Sequence, residues 1–134
     1  RVLAADPYVE AAKFARHGVE RKDLDTLLRE SDVVTLHCNL TAETRGLLDR
    51  RRLALLKPTA VLINTARGAV VDLEALCDAL EAYALAAAAL DVLPEEPIPR
   101  DARILRFGDR VLLSPHMVAA NQGGTLGAAI PWAA

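Results

Sequence analysis

The chain lacks a long apolar run. Its longest, Ala84 to Leu90, is far short of the roughly 20 residues that a membrane span needs. No secretory leader is recognisable, and no repeat or low-complexity linker interrupts the 134 residues, about one domain's worth. Strong charge of one sign is missing too: a net charge of −2 and a pI near 5.9 leave no basic face for nucleic acid. The short run Arg50-Arg51-Arg52 opens an apparent helix and reads as a solvated helix face. Only two cysteines occur, Cys38 and Cys77, far apart and in no metal-ligand spacing. Free thiols in a reducing, cytoplasmic setting are therefore expected. No G-x-G-x-x-G lies between an apolar run and a helical pattern; the closest glycines, Gly123, Gly124 and Gly127, sit in the tail.

What remains, at 52% apolar and 25% charged, is an ordinary globular composition. Short apolar runs alternate with helical spacing throughout. Strands are expected at Val2–Ala5, Val19–Arg21, Val33–Leu36, Ala60–Ile63, Ala86–Val92 and Val111–Leu113. Helices are expected from Pro7 to Gly18, burying Val9, Ala12 and Ala15, and over Asp23–Leu28. Two more are expected, one capped by Asp49 and running through Leu53 and Leu56 until Pro58, the other starting at Asp72. Leu93–Arg106 reads as an irregular, proline-rich loop, and a helix in the glycine-containing tail is doubtful. This alternation implies βαβ units and a parallel sheet covered on both faces.

A parallel sheet aligns its strands' carboxyl ends along one edge, where ligands bind in open α/β folds. Five of the expected ends carry chemistry: Asp6, Cys38-Asn39, Thr65-Ala66-Arg67, Asp91 with Glu96, and His116. Each alone is open to a second reading. Arg67 can hold a carboxylate through its planar fork or merely brace a loop. Asp6 can accept from a ribose diol or cap the next helix. His116 can be a turn residue, His37 a buried structural histidine, and His17 a helix-end residue.

Taken together, Asn64-Thr65-Ala66-Arg67-Gly68, Leu90-Asp91-Val92 with Glu95-Glu96-Pro97, and Ser114-Pro115-His116 resemble the signature of the D-isomer-specific 2-hydroxyacid dehydrogenases. Ser31 to His37 is similar to the same family's preceding strand, and the likeness covers nearly the whole chain. It implies an NAD-dependent oxidoreductase moving a hydride between nicotinamide and a D-2-hydroxy or 2-keto acid. Arg67 would bind the substrate carboxylate, His116 would be the general acid/base, and Glu96 would hold His116 protonated. Asp6 would take the adenosine ribose and favour NAD over NADP. Cys38, Thr65 and Asp91 would line the ribose and nicotinamide, with Asn39, Thr44, Ala66, Val118 and Ala119 completing the cofactor contacts alongside Arg67 and His116. The family also includes corepressors of the C-terminal binding protein type, which share Asp6-Pro7-Tyr8 and His37-Cys38, so a nucleotide-sensing binding module is the alternative.

By the same resemblance the fold is a Rossmann-type doubly wound sheet, incomplete. Residues 1–134 form part of the NAD-binding domain, without its first strand and glycine-rich loop and without the substrate domain. The intact protein would be a homodimer acting on a small 2-hydroxy or 2-keto acid, with no nucleic acid or membrane partner. The fragment alone is expected to be poorly soluble, weakly cooperative in melting and inactive. Two departures stand out: Asn39 replaces the usual proline, and Glu81 to Ala87 lacks the glycine that ordinarily ends this helix.

Overall fold

The computed structural model describes residues 1–117. The apolar runs become β1 (Leu3–Ala4), β2 (Glu20–Arg21), β3 (Val33–Leu36), β4 (Val61–Asn64), β5 (Ala87–Leu90) and β6 (Val111–Leu113). Between them lie α1 (Ala11–Arg16), α2 (Leu24–Glu30), α3 (Arg50–Leu53) and α4 (Leu73–Glu81), with 3₁₀ segments at Gly68–Val70 and Arg103–Arg110. None of the described helices is long and apolar enough to cross a membrane. Aspartates open three of the helices: Asp23, Asp49 and Asp72 accept from the backbone N–H groups of Thr26, Arg52 and Ala75 at 2.8–3.0 Å. Each supplies an acceptor to an otherwise unpaired helix-end donor.

All pairing is parallel, in two sheets: β1–β2, and β3–β4–β5–β6 in sequence order. β1 and β3 do not pair with each other. In β3, β4 and β5 every second residue is buried. Val34, Leu36, Leu62, Ala88 and Leu90 pack against Leu53, Leu56, Val70, Leu76, Leu80 and Ile104. The helices between β3 and β6 cover one face of this sheet. Among the described residues Val33, Thr35 and Leu112 on the other face are exposed. The reason is topological. When strands advance in one direction, right-handed crossovers all land on the same side.

Local hydrogen bonding moves several boundaries. The first helix starts at Ala11, not Pro7, because Asp6 Oδ1 accepts from Tyr8 N (2.8 Å) and folds Pro7-Tyr8 into a turn outside the helix. Its buried residue is Phe14, while Ala12 and Ala15 are exposed. α3 ends at Leu53, and Leu55 and Leu56 follow in a tightened turn bonded to Arg52 and Leu53. β5 is shorter than expected, and the Leu93–Arg106 loop turns 3₁₀ from Arg103. Arg50-Arg51-Arg52 is not merely solvated: Arg50 pairs with Asp78, and Arg51 and Arg52 with Asp25, bracing α3 against α4 and α2.

The missing helix-ending glycine has a structural answer. Tyr83 takes the left-handed conformation (φ +54). Tyr83 N donates to Leu80 O (3.1 Å) and Ala84 N to Ala79 O (2.9 Å), the bonds of a Schellman cap. Arg110 holds it there. Its guanidinium lies 4.4 Å from the Tyr83 ring centroid and donates to the carbonyls of Leu80, Leu85 and Ala86 at 2.6–3.0 Å. Leaving such carbonyls without donors costs about 1–3 kcal/mol. Urea denaturation of Arg110→Ala is therefore expected to show about 2 kcal/mol of lost stability. Tyr83→Gly should change stability by less than about 1 kcal/mol, because relief of left-handed strain offsets the lost stacking. An Arg110→Ala protein with unaltered stability would remove this role.

Candidate active site

The loops that leave β4, β5 and β6 are each tied down by a polar side chain. At the end of β4, Asn64 is 1% exposed. Its Oδ1 accepts from Ala66 N (3.0 Å) and its Nδ2 donates to Arg67 O (3.0 Å), curling residues 64–67 into a tight turn. The turn leaves Arg67 extended and exposed, with Nη1 donating to Ala66 O (2.6 Å). The strand does not pass directly into a helix: the Gly68–Val70 turn and a bridge from Val71 to Leu48 come first.

After β5, the buried Asp91 reaches across to the segment following β6. Its Oδ1 accepts from Ser114 Oγ (2.6 Å) and Met117 N (2.9 Å). Between these anchors His116 sits at φ +57. His116 Nδ1 lies 2.9 Å from Glu96 Oε2, while Glu96 Oε1 accepts from Leu93 N (2.8 Å). A carboxylate can only accept, so Nδ1 carries the hydrogen and Nε2 is left to exchange a proton. The Leu93 N–H, and after it His116, hold the Glu96 carboxyl below its usual range. The stability this contributes is present above that range and is lost as pH falls through the lowered value.

Two clefts meet here. The smaller, about 230 Å³, is lined by Arg67, Gly68, Glu96 and His116 with Leu40, Val92, Leu93 and Pro94. The larger, about 620 Å³, is lined by Asp6, Tyr8, Cys38, Asn39 and Thr44 among others. Adjacent residues Asn39 and Leu40 connect the two. Thr44 Oγ1 donates to Asn39 O (2.6 Å), fixing the turn that lacks the usual proline. Tyr8 Oη donates to Glu43 Oε2 (2.7 Å), linking the turn after β1 to the one after β3.

The sequence-predicted residues thus fall into groups. Arg67, Glu96 and His116 share the small cleft, and Asp6, Cys38, Asn39 and Thr44 the large one. Thr65, Ala66 and Asp91 line neither; they belong to the loops that hold the site. Val118 and Ala119 lie outside the described residues. His17 is a helix-end residue, at the C-cap of α1. His37 is exposed rather than buried, with Nε2 3.0 Å from Thr35 Oγ1 two residues back on the same strand face. Sequence reasoning missed the locking roles of Asn64 and Ser114 and the cleft wall at Leu40. An asparagine at the end of an apolar strand was the one available signal.

Residues 1–118 match the family model described as "D-isomer specific 2-hydroxyacid dehydrogenase, NAD binding domain". The chain is 51% identical over 104 residues to a glyoxylate reductase of Thermofilum pendens, covering 78% of this chain and 30% of that protein. It is 41% identical over 125 residues to a D-3-phosphoglycerate dehydrogenase of Archaeoglobus fulgidus, covering 93% and 24%. It superposes with a TM-score of 0.81, at 33% identity, on the crystal structure of an Aquifex aeolicus D-lactate dehydrogenase complexed with NAD and lactic acid, covering 90% of this chain and 40% of that one. The chain therefore spans well under half the length of these relatives. With its parallel sheet and the strand-end groups in place, the chain belongs to the NAD-binding domain family of the D-isomer-specific 2-hydroxyacid dehydrogenases.

Proposed function

We propose that this chain is part of the cofactor domain of a longer NAD-dependent enzyme, one that transfers a hydride between nicotinamide and C2 of a D-2-hydroxy or 2-keto acid. The observation that carries the reading is the meeting of Arg67 with the Glu96–His116 pair around one cleft, next to a cleft large enough for a nucleotide. The names of the relatives point to small 2-keto acids such as glyoxylate. The separation of β1 from β3 supports a further strand between them in the longer protein. The same reading includes a homodimer, on the strength of the family resemblance, and a cytoplasmic setting, on the free thiols of Cys38 and Cys77.

The residues present fit the cofactor. Asp6, at the carboxyl end of β1, offers a carboxylate to a ribose diol, and Cys38, Asn39 and Thr44 continue the wall toward the small cleft. Bound there, NADH supplies the hydride. Arg67 pairs its guanidinium with the substrate carboxylate and orients the keto group. His116 Nε2 gives a proton to the oxygen that becomes a hydroxyl, and Glu96 stabilises the imidazolium through Nδ1. In the oxidation direction the neutral imidazole takes that proton back.

A turnover screen of the complete protein with 2-keto acids and NADH tests the reading. No turnover across the panel, with NADH still bound, would favour the corepressor-like alternative. Arg67→Lys keeps the charge but loses the fork. We expect kcat/KM to fall ~10²-fold, about 3 kcal/mol, with little change in NADH affinity. Unaltered kinetics would end Arg67's role in substrate binding. Glu96→Gln keeps a hydrogen-bonding group beside His116 Nδ1 but removes its charge, so kcat for keto-acid reduction should fall at least ~10-fold with NADH affinity little changed. A parental kcat in Glu96→Gln would show that the two side chains are uncoupled.

A further inference from the structure

Gly68 makes the tightest backbone approach in the site. A Cβ built on it would stand 2.0 Å from Leu93 C, 2.2 Å from Leu93 O and 2.4 Å from Pro94 N. These are main-chain atoms, so no side-chain rotation could make room. Nor is glycine needed here for its backbone freedom: the left-handed glycines among the described residues are Gly18, Gly46 and Gly108. Space alone excludes a side chain at Gly68.

Both sides of this contact are locked. Behind Gly68, Asn64 holds the Arg67 carbonyl, Val71 N donates to Gly68 O (3.1 Å), and Leu48 brackets the turn by bonding Val70 O and Asp72 N at 3.0 Å. In front, Leu93 N is bonded to Glu96, and Glu96 to His116. The chain of contacts therefore runs from Arg67 through Gly68 and the Leu93–Pro94 peptide to Glu96 and His116. We propose that Gly68 is a positioning residue: its bare α-carbon lets the Arg67 turn seat on the Leu93–Pro94 peptide and so sets the span between guanidinium and imidazole. The proposal rests on the reading of Arg67 and His116 given above.

A methyl group at Gly68 must push the two loops apart by an ångström or more, and a misplacement of ~1 Å can cost ~10²-fold in rate. The Glu96–His116 pair lies wholly on one side of the clash and should move as a unit. In the complete protein, Gly68→Ala is therefore expected to raise KM for the best 2-keto acid substrate at least ~10-fold and to lower kcat/KM ~10²-fold. The pH–rate limb and the NADH dissociation constant should stay as in the parent. A glycine needed only for folding behaves differently, because fewer folded molecules lower apparent kcat but leave KM unchanged. Pro94→Gly is the second variant, for use if Gly68→Ala does not fold. It frees the opposing peptide without adding an atom, and should raise KM in the same direction by several-fold. Parental KM in whichever of these variants folds overturns the proposal. Full activity in Arg67→Ala and His116→Gln would instead overturn the underlying site assignment, which keeps the two failures distinct.

Discussion

The parallel register of the larger sheet is the constraint on which everything else depends. Leu36 pairs with Asn64, Asn64 with Leu90, and Leu90 with Leu113, so four strands end at one level. The ladder continues a step beyond them: Asp91 N donates to Asn64 O (3.0 Å) and Ser114 N to Leu90 O (3.1 Å). The loops bearing Arg67, Glu96 and His116 therefore leave from hydrogen-bonded peptides, and groups distant in sequence inherit the precision of a sheet. A one-residue slip of β4 would turn Asn64 out of the loop it ties and bring Ile63 inward, dismantling core and site together.

Charge is divided along the same geometry. Away from the cleft, Arg103 pairs with Glu74, Asp78 and Glu81, joining the 3₁₀ segment to α4 over the buried Cys77, whose thiol burial pushes up to about 11. Arg110 is consumed by the carbonyls at the end of α4. Among the described residues Arg67, at the cleft, has only the carbonyl of its neighbour Ala66. Guanidinium groups that brace the scaffold have their donors matched within the chain, whereas the one at the strand end keeps most of its fork for an incoming anion.

Much of this was legible in the sequence because its causes are local. Short β-branched and aliphatic runs located β3, β4 and β6, and an aspartate before leucines located the starts of α3 and α4. The convergence of remote motifs followed from one rule about parallel sheets. What escaped had causes elsewhere in the chain. An Asp6 side chain bonded to Tyr8 N delays α1. The helix end at Tyr83 depends on Arg110, 27 positions later. That the helices between β3 and β6 share one face depends on strand order, which alternation of elements does not reveal. Asn64 and Asp91 read as motif members, but their work is to lock loops, and that becomes visible only when Arg67, Ser114 and Met117 are placed beside them.

The division between locked and reacting groups has a physical consequence for catalysis. Asn64 and Asp91 are 1% and 5% exposed, so their hydrogen bonds act where water cannot compete. His116 and Glu96, at 50% and 39% side-chain exposure, face solvent. An ion pair as wet as that contributes at most about 1 kcal/mol. The same pair with water excluded perturbs proton affinity far more, because the field between the groups is no longer screened. The scaffold therefore fixes where the imidazole and the guanidinium stand, and excluding water from the small cleft would strengthen the field of both. On the proposed reading, a 2-keto acid held between Arg67 and His116 would itself exclude part of that water.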